Sequence, residues 1–159
     1  MKQILSNDII NQYMPTLVKC PLFNTLGEPE LRSYLNNAKV IIHSYQKNDF
    51  IALAGDPMEG IGVILEGSAL LTRENVMGQR VIMANLEQSD IFGEALLFSK
   101  QPLWPATIKA TKATKIMFIP LETFIKTLPD CHQCQTKILS NLLEDLSETA
   151  ILRSEEHTS

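Results

Sequence analysis

From residue 39 to residue 119 the chain is cut into short β-prone runs, at 40–45, 50–53, 61–72, 80–86, 106–111 and 115–119. Each is rich in Val, Ile, Thr or aromatic residues and each is bounded by turn formers. Short strands spaced this closely point to an antiparallel sandwich or barrel. The turns carry their own mechanism. Lys47-Asn48-Asp49 supplies a tight hairpin, because Asn tolerates positive φ better than other non-glycine residues. Gly55-Asp56-Pro57, Glu66-Gly67-Ser68 and Met77-Gly78-Gln79 punctuate the pattern in the same way.

Helical patterns flank this β region. Residues 4–14 place Ile4, Leu5, Ile9, Ile10 and Tyr13 at helical spacing, with Pro15 expected to end the helix. A second helix is expected over 29–36, with Pro29 in its first turn. After Pro120 a short helix is predicted over 121–128, stopped by Pro129. Asp130 then opens the longest helical pattern, its side chain capping while Gln133 reaches back. Ile138, Leu139, Leu142, Leu143, Leu146, Ala150 and Ile151 form a stripe on that helix. It is wide enough to pack on the β region along one edge and to offer a seam to a partner helix, although a stripe that only covers its own sheet reads alike. The organisation is therefore helices over 1–36, a β-roll over 37–120, helices over 121–152, and a tail over 153–159.

The chain's 159 residues, 45% hydrophobic and 20% charged, suit one soluble domain with a single substantial core. Its longest apolar runs, such as 61–65 and 116–119, are too short to cross a bilayer, and no export signal opens it, so a cytoplasmic location without a membrane partner is expected. A net charge of -4 gives no basic footprint for nucleic acid. Three cysteines, an odd number, argue for reduced thiols or a special site over a disulfide framework.

The stretch Ile91-Phe92-Gly93-Glu94-Ala95-Leu96-Leu97-Phe98, followed after a short loop by Trp104-Pro105-Ala106-Thr107-Ile108-Lys109-Ala110, has the form of a phosphate-binding cassette over 91–110. A Gly-Glu turn that opens a short apolar helix aims backbone N–H groups at an anion. Cys20-Pro21-Leu22-Phe23, the helix at 29–36, the Tyr45 to Ile51 segment, Gly55-Asp56, Ile64-Leu65-Glu66-Gly67 and Phe92-Gly93-Glu94 occur in an order that resembles the cyclic-nucleotide-binding effector domain of Crp/Fnr transcription regulators, over about residues 18–152. The resemblance implies a mainly β fold with flanking helices, a double-stranded β-helix or jelly roll, followed by a long C-terminal dimerisation helix.

In nucleotide-binding members of that family the cassette Glu bonds the ribose, and an Arg followed by Ser or Thr holds the cyclic phosphate. Ungapped alignment puts Glu94 at the ribose position, Trp104 at the Arg position and Pro105 at the Ser/Thr position. Trp carries no positive charge and Pro has neither hydroxyl nor N–H. Losing a charge-assisted Arg contact typically removes about 2–5 kcal/mol. The family's usual Gly before the cassette Asp is here Ser89. Cyclic AMP is therefore not expected to be the ligand, and an unknown small-molecule effector would meet Gly93, Glu94, Ala95, Trp104 and Pro105.

Each of these residues has a plainer reading. Glu94 is either a ligand contact or an acid that complements a helix N-terminus. Trp104 either stacks on an aromatic effector or fills the vacated pocket. Lys100, Lys109 and Arg80 offer replacement charge or are solvated surface residues. Cys131 and Cys134, expected in the first turn of the long helix, suit a redox switch, or a metal site with Cys20 or His132, or are buried fillers. Some Crp/Fnr members hold an iron–sulfur cluster on four cysteines; this chain has three, in other places, so no cluster is expected.

An enzyme reading finds little support in the same residues. Cupins share the jelly roll but need clustered His ligands, and the β region holds only His43. No Gly-x-Ser-x-Gly elbow, P-loop or paired catalytic carboxylates appear, so neither catalysis nor a metal or cofactor is expected. The expected role is the sensory and dimerisation part of a Crp/Fnr-type regulator, a homodimer through Leu139, Leu142 and Leu146. DNA would be reached only through a further C-terminal domain. The 153–159 tail matches one translated frame of a common sequencing adapter and is expected to be non-native. A standalone ligand- or protein-binding module is the second reading, and a metal-dependent cupin the third.

Overall fold

The computed structural model describes residues 2–97, 99–124 and 132–158, with backbone alone at residues 2–4, 96, 132 and 148–158. Its strands are β1 (Lys2–Ile4), β2 (Ile41–Tyr45), β3 (Phe50–Ala52), β4 (Gly60–Glu66), β5 (Ala69–Glu74), β6 (Arg80–Leu86), β7 (Ile91–Phe92), β8 (Thr107–Ala110) and β9 (Thr114–Pro120). The helices are α1 (Asn7–Leu17), α2 (Glu28–Asn37) and α3 (His132–Thr158). Every strand pairing is antiparallel, and two sheets form, ordered β1-β2-β9-β4-β7 and β3-β8-β5-β6. This is the expected jelly roll.

Alternation along the strands divides the core in two. One set of side chains, Ile42, Ile61, Val63, Leu65, Met117 and Ile119, faces the helices and packs with Leu17, Phe23, Leu31, Tyr34, Ile138 and Leu142. The other set, Ile64, Ile116, Phe118, Phe92, Ala69, Ile108 and Trp104, meets between the two sheets. Strand β4 is buried along Gly60 to Leu65 because both its faces are covered. Near-continuous apolar sequence in this strand follows from that position.

The turn chemistry agrees with the sequence pattern. Asn48 adopts φ +74 in the turn from β2 to β3, and the Asp49 carboxylate accepts the Gln46 N–H at 2.8 Å; the turn passes from one sheet to the other, so the tight hairpin expected there is not formed. The long run over 61–72 is broken at Gly67 into β4 and β5. Helix α2 starts with Pro29 in its first turn, and Glu30 Oε1 accepts from the N-cap Gly27 N–H at 3.4 Å.

Three local expectations are corrected. Residues 2–4 form strand β1, with Ile4 opposite Ile41 on the edge of the larger sheet, so the first helix starts only after Ser6 caps it through the Ile9 N–H at 3.3 Å. Pro15 does not end that helix; it sits inside the last turn, where only one backbone bond is forfeited, and the Val18 N–H still donates to the Met14 carbonyl at 3.0 Å. The helix expected over 121–128 is a single 3-10 turn at Leu121–Phe124, the rest of it and Asp130 lying outside the described residues. The backbone of α3 is helical to Thr158, past the boundary at residue 152.

At Gly62 a Cβ would lie 2.1 Å from the Phe92 ring. We therefore expect Gly62→Ala to lower the stability of the fold by about 1–3 kcal/mol, the usual cost of forcing volume into a packed core. Urea unfolding followed by circular dichroism measures this, and an unchanged midpoint would contradict the packing described.

Candidate functional site

The cassette begins where β7 pairs with β4, Phe92 opposite Gly62 and Ile91 opposite Val63. The absent side chain at Gly62 lets the Phe92 ring lie against the β4 backbone. From there it meets Phe118 at 6.0 Å, edge to face, and Trp104 at 5.7 Å. Gly93 then turns the chain with φ +91 into the 3-10 turn Glu94–Leu96. A side chain at Gly93 would also be crowded, its Cβ 2.8 Å from Met58 Cε and 3.3 Å from the Trp104 ring. Both glycines are thus needed by the aromatic packing around them.

Trp104 is held from both sides of its backbone. Its N–H donates to the Asp56 carbonyl at 2.8 Å, its carbonyl accepts the Gly55 N–H at 2.8 Å, and Met58 N–H donates to Pro102 at 2.8 Å. That short ladder directs the indole inward, where it is 7% exposed and packs with Phe92, Met58 and Gly93. Of the two readings of Trp104, filling of the interior is the one the packing supports. Pro105 is exposed beside it, and Ala95 is exposed on the 3-10 turn. Among the residues assigned to an effector, only Gly93 and Trp104 are thereby brought into contact with each other.

Glu94 is half-buried and engages α3, where it shares a side-chain hydrogen bond with Asp145. Two carboxyl groups can share a hydrogen bond only while one of them holds a proton. Burial raises the Asp145 carboxyl above its ordinary 3.8, and the Glu94 bond opposes that rise in part. Helix α3 is anchored close by. The buried Asn141 amide donates to the Leu22 carbonyl at 2.9 Å and to Thr25 Oγ1 at 2.8 Å. Gln135 Nε2 donates to the Thr123 carbonyl at 2.9 Å, and Lys137 pairs with Glu30 of α2 at 2.9 Å.

On the other side of the cassette, Ser89 adopts φ +73, a conformation that costs a non-glycine residue about 1–2 kcal/mol. Its hydroxyl donates to the Thr16 carbonyl of α1 at 2.8 Å, and Gln88 Nε2 donates to Thr16 Oγ1 at 3.0 Å. The cassette is therefore tied to α1 before it and to α3 after it. Asp145 was not anticipated from the sequence. Its signal is an acid one turn from Leu142, inside the apolar stripe.

The basic candidates lie elsewhere. Lys109 stands 5.6 Å over the Phe50 ring, and with Arg80 it borders a shallow hollow of about 240 Å³ also lined by Leu70 and Ile82. Lys109 alternates with the buried Ile108 and Ala110, which puts it on the outer face of the smaller sheet; Lys100 is exposed. Cys134 is buried in the first turn of α3, whereas Cys131 lies outside the described residues. Cys20 is fully buried, and desolvation pushes its thiol up to about 12, so it is not a thiolate near neutrality. Among the described residues, no three or more His, Cys, Asp or Glu side chains converge as metal ligands, and no helix is long and apolar enough to cross a membrane.

The leucine stripe is divided differently from expectation. Leu142 is fully buried in the chain's own core, which corrects its assignment to a partner seam: it packs with the same cluster as Ile138 and Phe23. Leu139 and Leu146 are partly buried along the edge of that cluster, and Leu143 is the leucine left 57% exposed.

The Asp145 shift has a defined sign. A carboxyl whose folded pKa is raised binds its proton more tightly when folded, so stability falls as pH rises from its ordinary value through the raised one, and the penalty is complete above it. We expect Asp145→Asn to remove that slope and to melt higher than the parent chain near neutral pH, with the gap closing toward pH about 4. Thermal melts across this range check it; parallel curves for the two proteins would show that Asp145 carries no such penalty.

Three comparisons with known proteins bear on this geometry. The family model of the cyclic nucleotide-binding domain matches residues 42–130. The "cAMP-activated global transcriptional regulator CRP" of Pasteurella multocida (strain Pm70) is 29% identical over 123 residues, 76% of this chain and 58% of that protein. The chain thus spans little more than half the length of that curated relative. Among solved structures, the sensor domain of the transcriptional regulator DNR from Pseudomonas aeruginosa superposes with a TM-score of 0.73 at 21% identity, covering 94% of this chain and 95% of that one. The Thermus thermophilus Catabolite Activator Protein gives a TM-score of 0.75 at 21% identity, over 87% of this chain and 62% of that one. At such identities the two structures speak for the fold.

Proposed function

The chain belongs to the cyclic nucleotide-binding domain family, and from that premise we propose that it is the sensory part of a Crp/Fnr-type transcription regulator that does not answer to cyclic AMP. The observation that carries the second half is the buried indole of Trp104. It lies against Phe92, Gly93 and Met58 at the position where the resemblance places the phosphate-holding Arg. With Pro105 next to it, that position offers a cyclic phosphate neither a cation nor a hydroxyl. Glu94, at the ribose position, is engaged with Asp145 of α3.

The same contact gives a route from sensing to output. A change that displaces the 3-10 turn at Glu94 acts on α3, because Glu94 lies against Asp145 there. In a dimer built on α3, such a displacement would bias the angle between two helices, and with it the spacing of DNA-binding domains beyond them. The seam we assign to this dimer is Leu139, Leu143 and Leu146, which recur at the four- and three-residue steps of a heptad along the uncovered edge of the stripe. DNA would be contacted by a further domain, since this chain's net charge of -4 gives no basic footprint.

Titration calorimetry tests the ligand reading: neither cyclic AMP nor cyclic GMP is expected to give measurable heat of binding, and micromolar affinity for either would overturn the role given to Trp104. Sedimentation tests the assembly. The parent chain is expected to sediment as a dimer, and Leu143→Glu, which changes an exposed position, as a folded monomer. A parent chain that stays monomeric at high concentration would refute the seam.

A further inference from the structure

A second cleft, of about 310 Å³, opens beside Trp104, where β2 and β9 of one sheet face the edge strand β3 of the other. Its lining includes the rings of His43, Tyr45, Phe118 and Trp104 and the carboxylates of Asp56 and Glu59. We infer that this cleft binds a compact organic cation of the alkylammonium class. The site does not rest on the regulator reading and stands or falls without it.

The chemistry is specific in two respects. Rings of Trp, Tyr and Phe attract a cation over their faces, and Trp104, Tyr45 and Phe118 line this cleft, with His43 5.6 Å from Phe118 and 6.1 Å from Tyr45. Acidic side chains stand at the mouth, where Asp56 and Glu59 are exposed and neither has an ion-pair partner among the described residues. No Lys or Arg lines the cleft. The potential there is already felt by Tyr45, whose phenol is pushed up to about 12 by burial and then by the Glu59 and Asp49 charges. Ile51, Ala52, Leu53 and Pro57 supply apolar surface for methyl or methylene groups. A hydrated metal ion would find few oxygen ligands against such walls, and an anion would meet like charge. An alkylammonium, apolar at its surface and positive throughout, meets both needs.

Trp104 is the only tryptophan in the chain, so its emission reports on the cleft directly. Choline and its neutral carbon isostere 3,3-dimethylbutan-1-ol have the same shape and differ in charge. Titration of the full chain with choline is expected to give a saturable change in emission, with the isostere about tenfold weaker, as a cation–π site requires. Sodium chloride at matched ionic strength should leave the emission unchanged. The double variant Asp56→Asn with Glu59→Gln, both on the exposed rim, should weaken choline binding about tenfold with an unchanged melting midpoint. The inference fails if choline gives no saturable response, if the isostere or salt reproduces it, or if the folded double variant binds choline as tightly as the parent chain.

Discussion

The contact of the Phe92 ring with the bare backbone of Gly62 is the constraint on which the site depends. It needs a missing side chain on the central strand β4 and an aromatic residue on the two-residue strand β7, and neither is useful without the other. Once Phe92 is seated there, its ring supports Trp104 on one side and Phe118 on the other. Gly93 then turns the chain with φ +91, a conformation that side-chain-bearing residues rarely adopt, beside Met58 and Trp104. The cassette is therefore a consequence of packing before it is a binding element. That accounts for a Phe-Gly-Glu turn that keeps its shape beside Trp104 and Pro105, which bring neither a cation nor a hydroxyl.

The extent to which this was legible in the sequence follows from the range of each interaction. The β-roll was readable because its strands carry their own signals: alternating burial, turn residues such as Asn48 and Gly67, and a continuous apolar run at β4. Element ends were less so. Ile4 suits a helix or a strand alone, and only its pairing with Ile41 on the sheet edge decides between them. Pro15 reads as a helix stop locally, yet the last turn bears its lost bond because α1 packs Met14 and Leu17 in the core just around it.

Tertiary partners were the least visible part. The stripe on α3 contains more leucine than one face needs, and sequence alone does not tell which of Leu142 and Leu143 turns inward. Asn141 settles it, because its amide must reach the Leu22 carbonyl and Thr25, and that rotation carries Leu142 into the core and Leu143 out. Asp145 follows from the same rotation. It is brought to the core-side edge, half-buried beside Glu94, where burial makes its charge costly and raises its carboxyl above the ordinary value. An acid inside an apolar stripe is the sequence trace of such an arrangement, although nothing in the sequence names its partner.

Trp104 stands between the cassette turn and the aromatic cleft. One face of its surroundings is closed by Phe92, Gly93 and Met58, while its remaining edge lines the aromatic cleft with His43 and Tyr45. A molecule entering that cleft would meet the indole, whose backbone is held at Gly55 and Asp56 and whose ring packs against Phe92. Gly93, beside the same ring, begins the turn that bears Glu94, and Glu94 faces Asp145 of α3. A densely packed interior transmits such a push in preference to absorbing it. With Trp104 at the position where the resemblance places an Arg, the indole would thus link the aromatic cleft to the turn that packs near that helix.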